Sequence, residues 1–274
     1  MPYMVIDTPS VARRHWEVFR KEQPPGDTLD IASAFADRIV AAIDRLQGRL
    51  GVQAPHVFCA FDSAPPTWRH ELYDGYKRFR ERPPHDYDVA IDLLRDALEP
   101  HGLVGYVDKM EADDLVASAV VATREQHPQE AVQVVSSDKD LSALITKGAT
   151  LYNQAQREVV TAEAVKKRFG VEPHQMLDYL ALVGDTSDNI PGVPRIGHKK
   201  ASALLGQFND LEAILGAGET DDRDVVAVQA HAEVARLSRQ LTALRADLYR
   251  KQAAPGQPWP GKDSIHVFKR NRST

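Results

Sequence analysis

Apolar positions along this chain fall into two rhythms. Short apolar runs of strand length, Met4-Val5-Ile6, Val57-Phe58-Cys59-Ala60-Phe61, Val104 to Val107 and Val132-Gln133-Val134-Val135, alternate with longer stretches whose apolar residues recur three and four apart. The longer stretches predict helices from about Val11, over Thr28 to about Leu50, Val89 to Glu99 and Asp113 to Gln126, a short helix from Lys139, and a turn at Pro24 to Gly26. Strands and helices in alternation indicate an α/β fold with a mainly parallel central sheet flanked by helices. After Tyr152 only helices are expected: Ala162 to Phe169, Pro173 to Leu182, His198 to Leu205, Asn209 to Leu215 and Ala227 to Leu244. They predict a helical C-terminal half packed beside the sheet, followed by a tail rich in Pro, Gly and Lys from Gln252 onward.

The acidic residues sit at particular points of this pattern. Lys109-Met110-Glu111-Ala112-Asp113-Asp114-Leu115 puts three carboxylates into four residues at the first turn of a helix. Taken alone, such a turn reads as an N-terminal cap favoured by the helix dipole. Capping uses one or two acids, however, and four more lie at or just past strand ends: Asp7, Asp62, Asp138 and Asp140. Ligands of an open parallel sheet bind outside the carboxyl ends of its strands, so these acids are expected to converge on one rim. A carboxylate cluster without His or Cys suits a hard divalent cation, Mg²⁺ or Mn²⁺ rather than zinc.

Composition changes this picture little. With 274 residues and 43% apolar content the chain can build one large domain, or a core with a smaller appendage. No apolar run approaches membrane-span length and no signal segment opens the chain, so a soluble cytoplasmic protein with no membrane partner is expected. The single cysteine, Cys59, lies in an apolar strand and reads as a core residue. The ten histidines show no metal-ligand spacing. A net charge of −5 argues weakly against a nucleic-acid partner, because many of the acids are clustered and basic residues concentrate between Arg69 and Arg82.

Two stretches have the composition of a nucleic-acid contact. In Trp68 to Arg80 aromatics interleave with cations, a mixture that either forms the core stripe of an amphipathic helix or stacks on bases while holding phosphates. In Asn189 to Ala201 a Gly-bearing hairpin opens a helix carrying Lys199 and Lys200. That is either an ordinary turn or a phosphate site built from free amides and the dipole.

The motifs Phe61-Asp62, Arg69-His70-Glu71, Tyr76-Lys77, Glu111-Ala112-Asp113-Asp114, Ser137 to Leu141 and Gly184 to Val193 occur in the order found in the bacterial 5′-nuclease or flap endonuclease family, which this chain resembles from about Met4 to Asp247. The likeness is greatest to the 5′-3′ exonuclease domain of DNA polymerase I. It implies a PIN-like α/β nuclease core over 1–160 with a helical arch at about 68–88. It also implies a DNA-binding helical region over 161–250 with a helix-hairpin-helix at about 184–206, and a tail over 251–274. Asp7, Asp62, Glu111, Asp113, Asp114, Asp138, Asp140, Asp185 and Asp188 become the implied metal ligands for two or more Mg²⁺ or Mn²⁺ ions. Arg69, Tyr76, Lys77 and Arg80 become catalytic groups at the base of the arch, and Gly192, Arg195, Gly197, Lys199 and Lys200 become duplex contacts, with K⁺ at the hairpin as in relatives.

The implied activity is hydrolysis of DNA at 5′ flaps, nicks and ends, RNA-primed ones included, by a monomer serving primer removal in replication and repair. Two cations held about 4 Å apart would serve the attacking water and the leaving oxygen. Two positions depart from the family: Arg195 stands where its hairpin usually has Gly, and Thr8 follows Asp7 where Gly is usual. A non-Gly residue disfavours positive φ, so some loss of backbone contact in the hairpin is expected. No polymerase sequence follows, which leaves a free-standing nuclease or an excised domain. Two rival classes differ in their chemistry: a non-catalytic branched-DNA-binding protein would not need nine acids, and an α/β phosphatase would have no use for the hairpin.

Overall fold

Parallel strands need a crossover between them, and here helices of suitable length supply each one. The computed structural model describes residues 2–22, 26–53, 56–248 and 266–267. The strands β1 (Tyr3–Asp7), β2 (Val57–Ala60), β3 (Leu103–Tyr106), β4 (Val132–Val135), β5 (Ala149–Asn153), β6 (Glu158–Val160) and β7 (His266–Val267) form one seven-stranded sheet in the order β6-β5-β4-β1-β2-β3-β7. The first five run parallel, and β6 and β7 close the two edges antiparallel. The chain moves outward from β1 to β3 and then returns to β4 on the other side of β1. The crevice between β1 and β4 is therefore the switch point where such sheets bind ligands.

Both faces of the sheet are covered, which explains why every position of β1 and β2 is buried. Helices α1 (Thr8–Glu22), α2 (Thr28–Leu50) and α4 (His85–Leu98) bury Trp16, Phe19, Phe35 and Leu94 against one face. Helix α5 (Ala112–Gln126) and a 3₁₀ segment, Asp140–Lys147, bury Leu115, Val120, Leu141 and Leu144 against the other.

The C-terminal half has its own core around Met176, Tyr179, Leu204 and Ile214. It is built from α6 (Ala162–Phe169), α7 (Met176–Val183), α8 (His198–Phe208), α9 (Leu211–Leu215), α10 (Arg223–Ala230) and α11 (Ala232–Thr242). A hairpin over 184–197 joins α7 to α8, so a helix-hairpin-helix stands where it was expected.

Four expectations need correction. Strand β6 falls in the half expected to be purely helical; three residues on an exposed edge are too few to show a period. The helix expected over Ala227 to Leu244 is two helices broken at His231, whose backbone leaves the helical region (φ −118°, ψ 31°) while its Nδ1 contacts the carbonyl of Ala227 at 2.9 Å. The arch stretch forms only the five-residue α3 (Trp68–Leu72), and residues 73–84 are turns and coil. Tyr76 and Phe79 consequently share no helical stripe: Tyr76 is buried and Phe79 is 75% exposed. The stretch expected only as a tail rich in Pro, Gly and Lys supplies β7, which pairs with β3. The expected turn at Pro24 and Pro25 and the rest of the tail from Gln252 lie outside the described residues. Among the described residues no helix is long and apolar enough to cross a membrane.

The hairpin is held by close backbone approach. Gly184 (φ +77°) and Gly192 (φ +64°) cross so tightly that a Cβ on Gly192 would lie 2.5 Å from the amide nitrogen of Gly184. Gly192→Ala is expected to cost about 2–4 kcal/mol through this overlap and the left-handed backbone, seen as a lower urea midpoint. Gly197→Ala, where a Cβ meets no atom within 4 Å, should leave the midpoint nearly unchanged and serves as control.

Candidate active site

Acidic side chains gather at the carboxyl ends of β1 to β4. Asp7 ends β1, Asp62 follows β2, Glu111 and Asp113 open α5 after β3, and Asp138 and Asp140 follow β4. The hairpin adds Asp185 and Asp188 from the helical half, and its Asp185 and Ile190 pair in a short antiparallel bridge. Eight of the nine expected acids therefore face one region, and their mutual charge is visible in their protonation. Burial pushes the Asp7 carboxyl up to about 7, and the neighbouring Asp138 and Asp62 charges add to this against a hydrogen bond from Ser136 Oγ at 2.6 Å. Burial together with Asp138 and Asp7 raises Asp113 well above the ordinary range, and burial together with Asp138 raises Asp140 likewise. Asp62 lies at the open mouth, but the surrounding walls strip enough hydration to raise it, against the opposing pull of Lys77. One of its oxygens also accepts from the Ala112 amide at 2.8 Å, so a neighbouring strand end adds to the capping box that Glu111 and Asp114 form on α5.

Two lysines lie among the acids. Lys77, in a left-handed conformation (φ +53°), donates to Glu111 Oε1 at 2.6 Å and stands 3.9 Å from Asp188. Its own amide donates to the Asp188 carbonyl at 2.9 Å, which fixes the turn against the hairpin. Burial would lower the Lys77 ammonium, but the Glu111, Asp188 and Asp62 carboxylates override it and the net shift is upward. Arg80, half exposed, donates to Asp188 at 2.9 Å. Tyr76 donates to Glu111 Oε2 at 2.8 Å and Asp188 at 3.3 Å; burial first and Glu111 second hold its phenol protonated. Lys139 donates to Asp185 and lies 3.9 Å from Asp140. It was not anticipated, although its place between Asp138 and Asp140 was a usable signal. Among the described residues no three acid, His or Cys side chains enclose an ion-sized site in this arrangement.

Asp114 and Arg69 do not belong to this rim. Asp114 is fully buried and its oxygens are occupied by Arg69 Nη1 at 2.8 Å and Nη2 at 3.0 Å, Trp68 Nε1 at 2.8 Å and the Arg245 amide at 2.9 Å. Arg69, 3% exposed, also donates to Glu111 at 3.0 Å and, at 2.9 Å each, to the carbonyls of Leu241 and Ala243. Every donor of its guanidinium is spent, so Arg69 cannot reach a phosphate, and Asp114 has no lone pair left for an ion. The expectation of a catalytic Arg69 and a ligand Asp114 is corrected accordingly. Helical spacing put Asp114 on one face with Glu111, but it could not reveal a strap from 243 to 248 closing over it.

At the hairpin, Arg195 adopts φ +68°, so the left-handed conformation persists without glycine. Lys199 is exposed at the start of α8, whereas Lys200 pairs with Asp224 at 2.5 Å and is tied to α10. Gly192 is buried in the hairpin crossing and donates its amide to Ser238 at 3.1 Å, while Gly197 is the exposed N-cap of α8. Beside Arg195 a hollow of about 550 Å³ is lined by Pro194, Arg223, Val226 and Ala230, and a smaller one of about 350 Å³ adjoins Asp62 with Phe61, Tyr87 and Ile91 as its floor.

An acidic rim at the switch point of a parallel sheet, joined to a helix-hairpin-helix, is the architecture of a nuclease. Residues 2–170 match the family described as 5′-3′ exonuclease, N-terminal resolvase-like domain, and residues 171–256 match 5′-3′ exonuclease, C-terminal SAM fold. The chain belongs to the 5′-3′ exonuclease family. It is similar to the flap endonuclease Xni of Shewanella frigidimarina, 32% identical over 251 residues that cover 89% of this chain and 92% of that one. It is also 36% identical over 199 residues to DNA polymerase I of Bacillus caldotenax, covering 70% of this chain but only 22% of the polymerase. Its fold is like that of a T5 5′-exonuclease solved with zinc bound, with a TM-score of 0.75 at 20% identity over 90% of this chain and 91% of that one.

Two outcomes are expected from these charges. Arg69→Met leaves Asp114 buried without its partner and should cost about 3–5 kcal/mol in urea unfolding. The second concerns pH. With Asp7 near 7 when folded and an ordinary carboxyl when unfolded, the native state holds the extra proton between about pH 4 and 7, so stability falls as pH rises through that window. Asp7→Asn should therefore flatten the stability–pH curve of the metal-free protein there and stabilise it at pH 8, as read by thermal melts.

Proposed function

We propose that the chain is a structure-specific 5′-3′ exonuclease and flap endonuclease that hydrolyses phosphodiester bonds at 5′ ends and flaps of DNA with divalent metal ions. The observation that carries this reading is the meeting at one rim of acids from four parallel strand ends and from the hairpin, with Lys77 and Arg80 held among them. The 5′-3′ exonuclease match over both halves of the chain and the likeness to flap endonuclease Xni support it.

The residues suit a hard divalent ion by donor chemistry and by charge. Oxygen is the only donor type on the rim, as Mg²⁺ and Mn²⁺ require. Asp140 Oδ1 is buried and has no hydrogen-bond partner, and burial first and the neighbouring Asp138 charge second raise Asp7, Asp113 and Asp140 above the ordinary carboxylate range. Asp7, Asp62, Glu111, Asp113, Asp138, Asp140, Asp185 and Asp188 would hold the ions. Ions bound there supply Lewis acidity toward water and toward the phosphate.

The chain's own side chains do the rest. Lys77 stays protonated beside Glu111 and presents a fixed positive charge to the phosphate oxygens, where preorganised charge counts most. Arg80 is half exposed and reaches the strand before it enters the rim. Tyr76 orients Glu111 and Asp188 through its hydroxyl. Cys59 is not poised as a nucleophile: it is buried in β2 and its thiol is pushed up to about 12 by burial. At the hairpin, the exposed Lys199 and the amides that open α8 present positive charge to a duplex phosphate. With Lys200 tied to Asp224, Lys199 and Arg195 are the cations that remain for that contact.

The test is a 5′-labelled flap on a nicked duplex. Cleavage should require Mg²⁺ or Mn²⁺ and disappear with excess chelator, and Lys77→Ala should slow single-turnover cutting about 10²–10³-fold with little change in DNA affinity. Full activity in chelator would refute the metal reading; near wild-type cutting by Lys77→Ala would remove that residue from the chemistry.

A further inference from the structure

Among the described residues Lys139 is a charged group amid the acids that the proposed reaction leaves without a task. It enters the 3₁₀ segment directly between Asp138 and Asp140, and its ammonium closes on Asp185 Oδ2 from the hairpin. Asp185 Oδ1 is already satisfied by the Ser187 amide at 2.8 Å and the Ser187 hydroxyl at 2.6 Å. On the opposite side, Asp140 Oδ1 is 3.9 Å from the ammonium, buried, and accepts no hydrogen bond. One cation thus bridges two carboxylates from different halves of the fold. It leaves on one of them an oxygen that a lysine, with its tetrahedral donors, does not serve. The side chain is 35% exposed, so it can move to solvent without opening the core.

We infer that Lys139 holds the place of a divalent ion between Asp140 and Asp185, and that an ion enters this half of the rim only as the ammonium leaves. The inference rests on the reading that the rim takes divalent ions. It accounts for the lack of any three-acid cage among the described residues. With Lys139 in place the Asp185 side is satisfied as a salt bridge, and the acids have no need to draw closer. Lys77 differs in this respect, because its partner Glu111 keeps Arg69 and Tyr76 on its other oxygen, Oε2, when the lysine turns from Oε1 to substrate.

Removing a unit charge about 4 Å from a cation site changes affinity by tenfold or more even when strongly screened. Mn²⁺ titration of the whole chain without DNA, with free ion followed by electron paramagnetic resonance, reads this directly. Lys139→Met should tighten one Mn²⁺ step about tenfold or more, while Lys139→Arg, which keeps the charge, should bind as wild type does. Unchanged or weaker Mn²⁺ binding by a Lys139→Met protein whose circular dichroism matches wild type overturns the inference. Absence of Mn²⁺ binding in every form overturns the divalent-ion reading beneath it as well. A second readout uses the unaltered protein: acylation of Lys139 by an amine-reactive ester should speed up when Mn²⁺ is added. An unchanged or slower rate overturns the displacement.

Discussion

Arg69 is a buried cation whose donors are all spent on groups from two distant parts of the chain, the first turn of α5 and the end of α11. It bonds both oxygens of Asp114 on α5, reaches Glu111 at the rim, and takes the carbonyls of Leu241 and Ala243 where the last long helix ends. Burying a guanidinium is costly unless every donor is met, so these partners are obligatory once the side chain is inside. The chain beyond α11 is thereby pulled across α5, where the Arg245 amide meets Asp114 and Ser118 bonds the backbone of Arg245 and Leu248. Trp68 lies between the guanidiniums of Arg69 and Arg245, with each 4.4 Å from its ring, and closes the junction. The two halves, each with its own apolar core, are clamped together by this polar knot and a small cluster of Tyr76, Ile190 and Leu241.

The clamp determines what the rim can be. Glu111 takes a proton donor or cation on both oxygens, from Arg69, Tyr76 and Lys77, and is therefore held below its ordinary value despite its burial. The acids one step further in, Asp7 and Asp113, are driven upward by burial first and by the neighbouring Asp138 charge second. One rim thus contains compensated and uncompensated carboxylates side by side. The uncompensated ones are where added positive charge stabilises most, and the compensated ones keep their lysines until something displaces them. The hairpin reaches the rim through the backbone as well as through Asp185 and Asp188: the Lys77 amide bonds the Asp188 carbonyl, and Asn189 bonds the Gly75 carbonyl at 2.7 Å. The hairpin is for this reason in direct contact with the turn that carries Lys77.

Much of this could be read from the residues themselves. A parallel sheet follows from apolar runs alternating with amphipathic stretches, and acids at strand ends of such a sheet must share an edge, because parallel strands all finish on one side. The Gly-bearing turn before Lys199 was visible in the residues, while its helix-hairpin-helix form came from the family resemblance; the positive φ of Gly184 and Gly192, which lets backbone approach backbone, belongs to the structure. What the sequence by itself determined is therefore local conformation and the edge on which the acids emerge. Tertiary structure alone decided which charges serve the rim and which serve the clamp. Asp113 and Asp114 are adjacent on one helix turn, yet one faces the acids and the other is enclosed by Arg69, Trp68 and Arg245. Arg69 and Arg80, eleven residues apart in a stretch rich in cations, end buried and half exposed respectively. The physical reason is that a charge's role depends on which distant groups strip or replace its water. Those groups, Leu241, Ala243 and Arg245 among them, come from the far end of the chain, where no local period points to them.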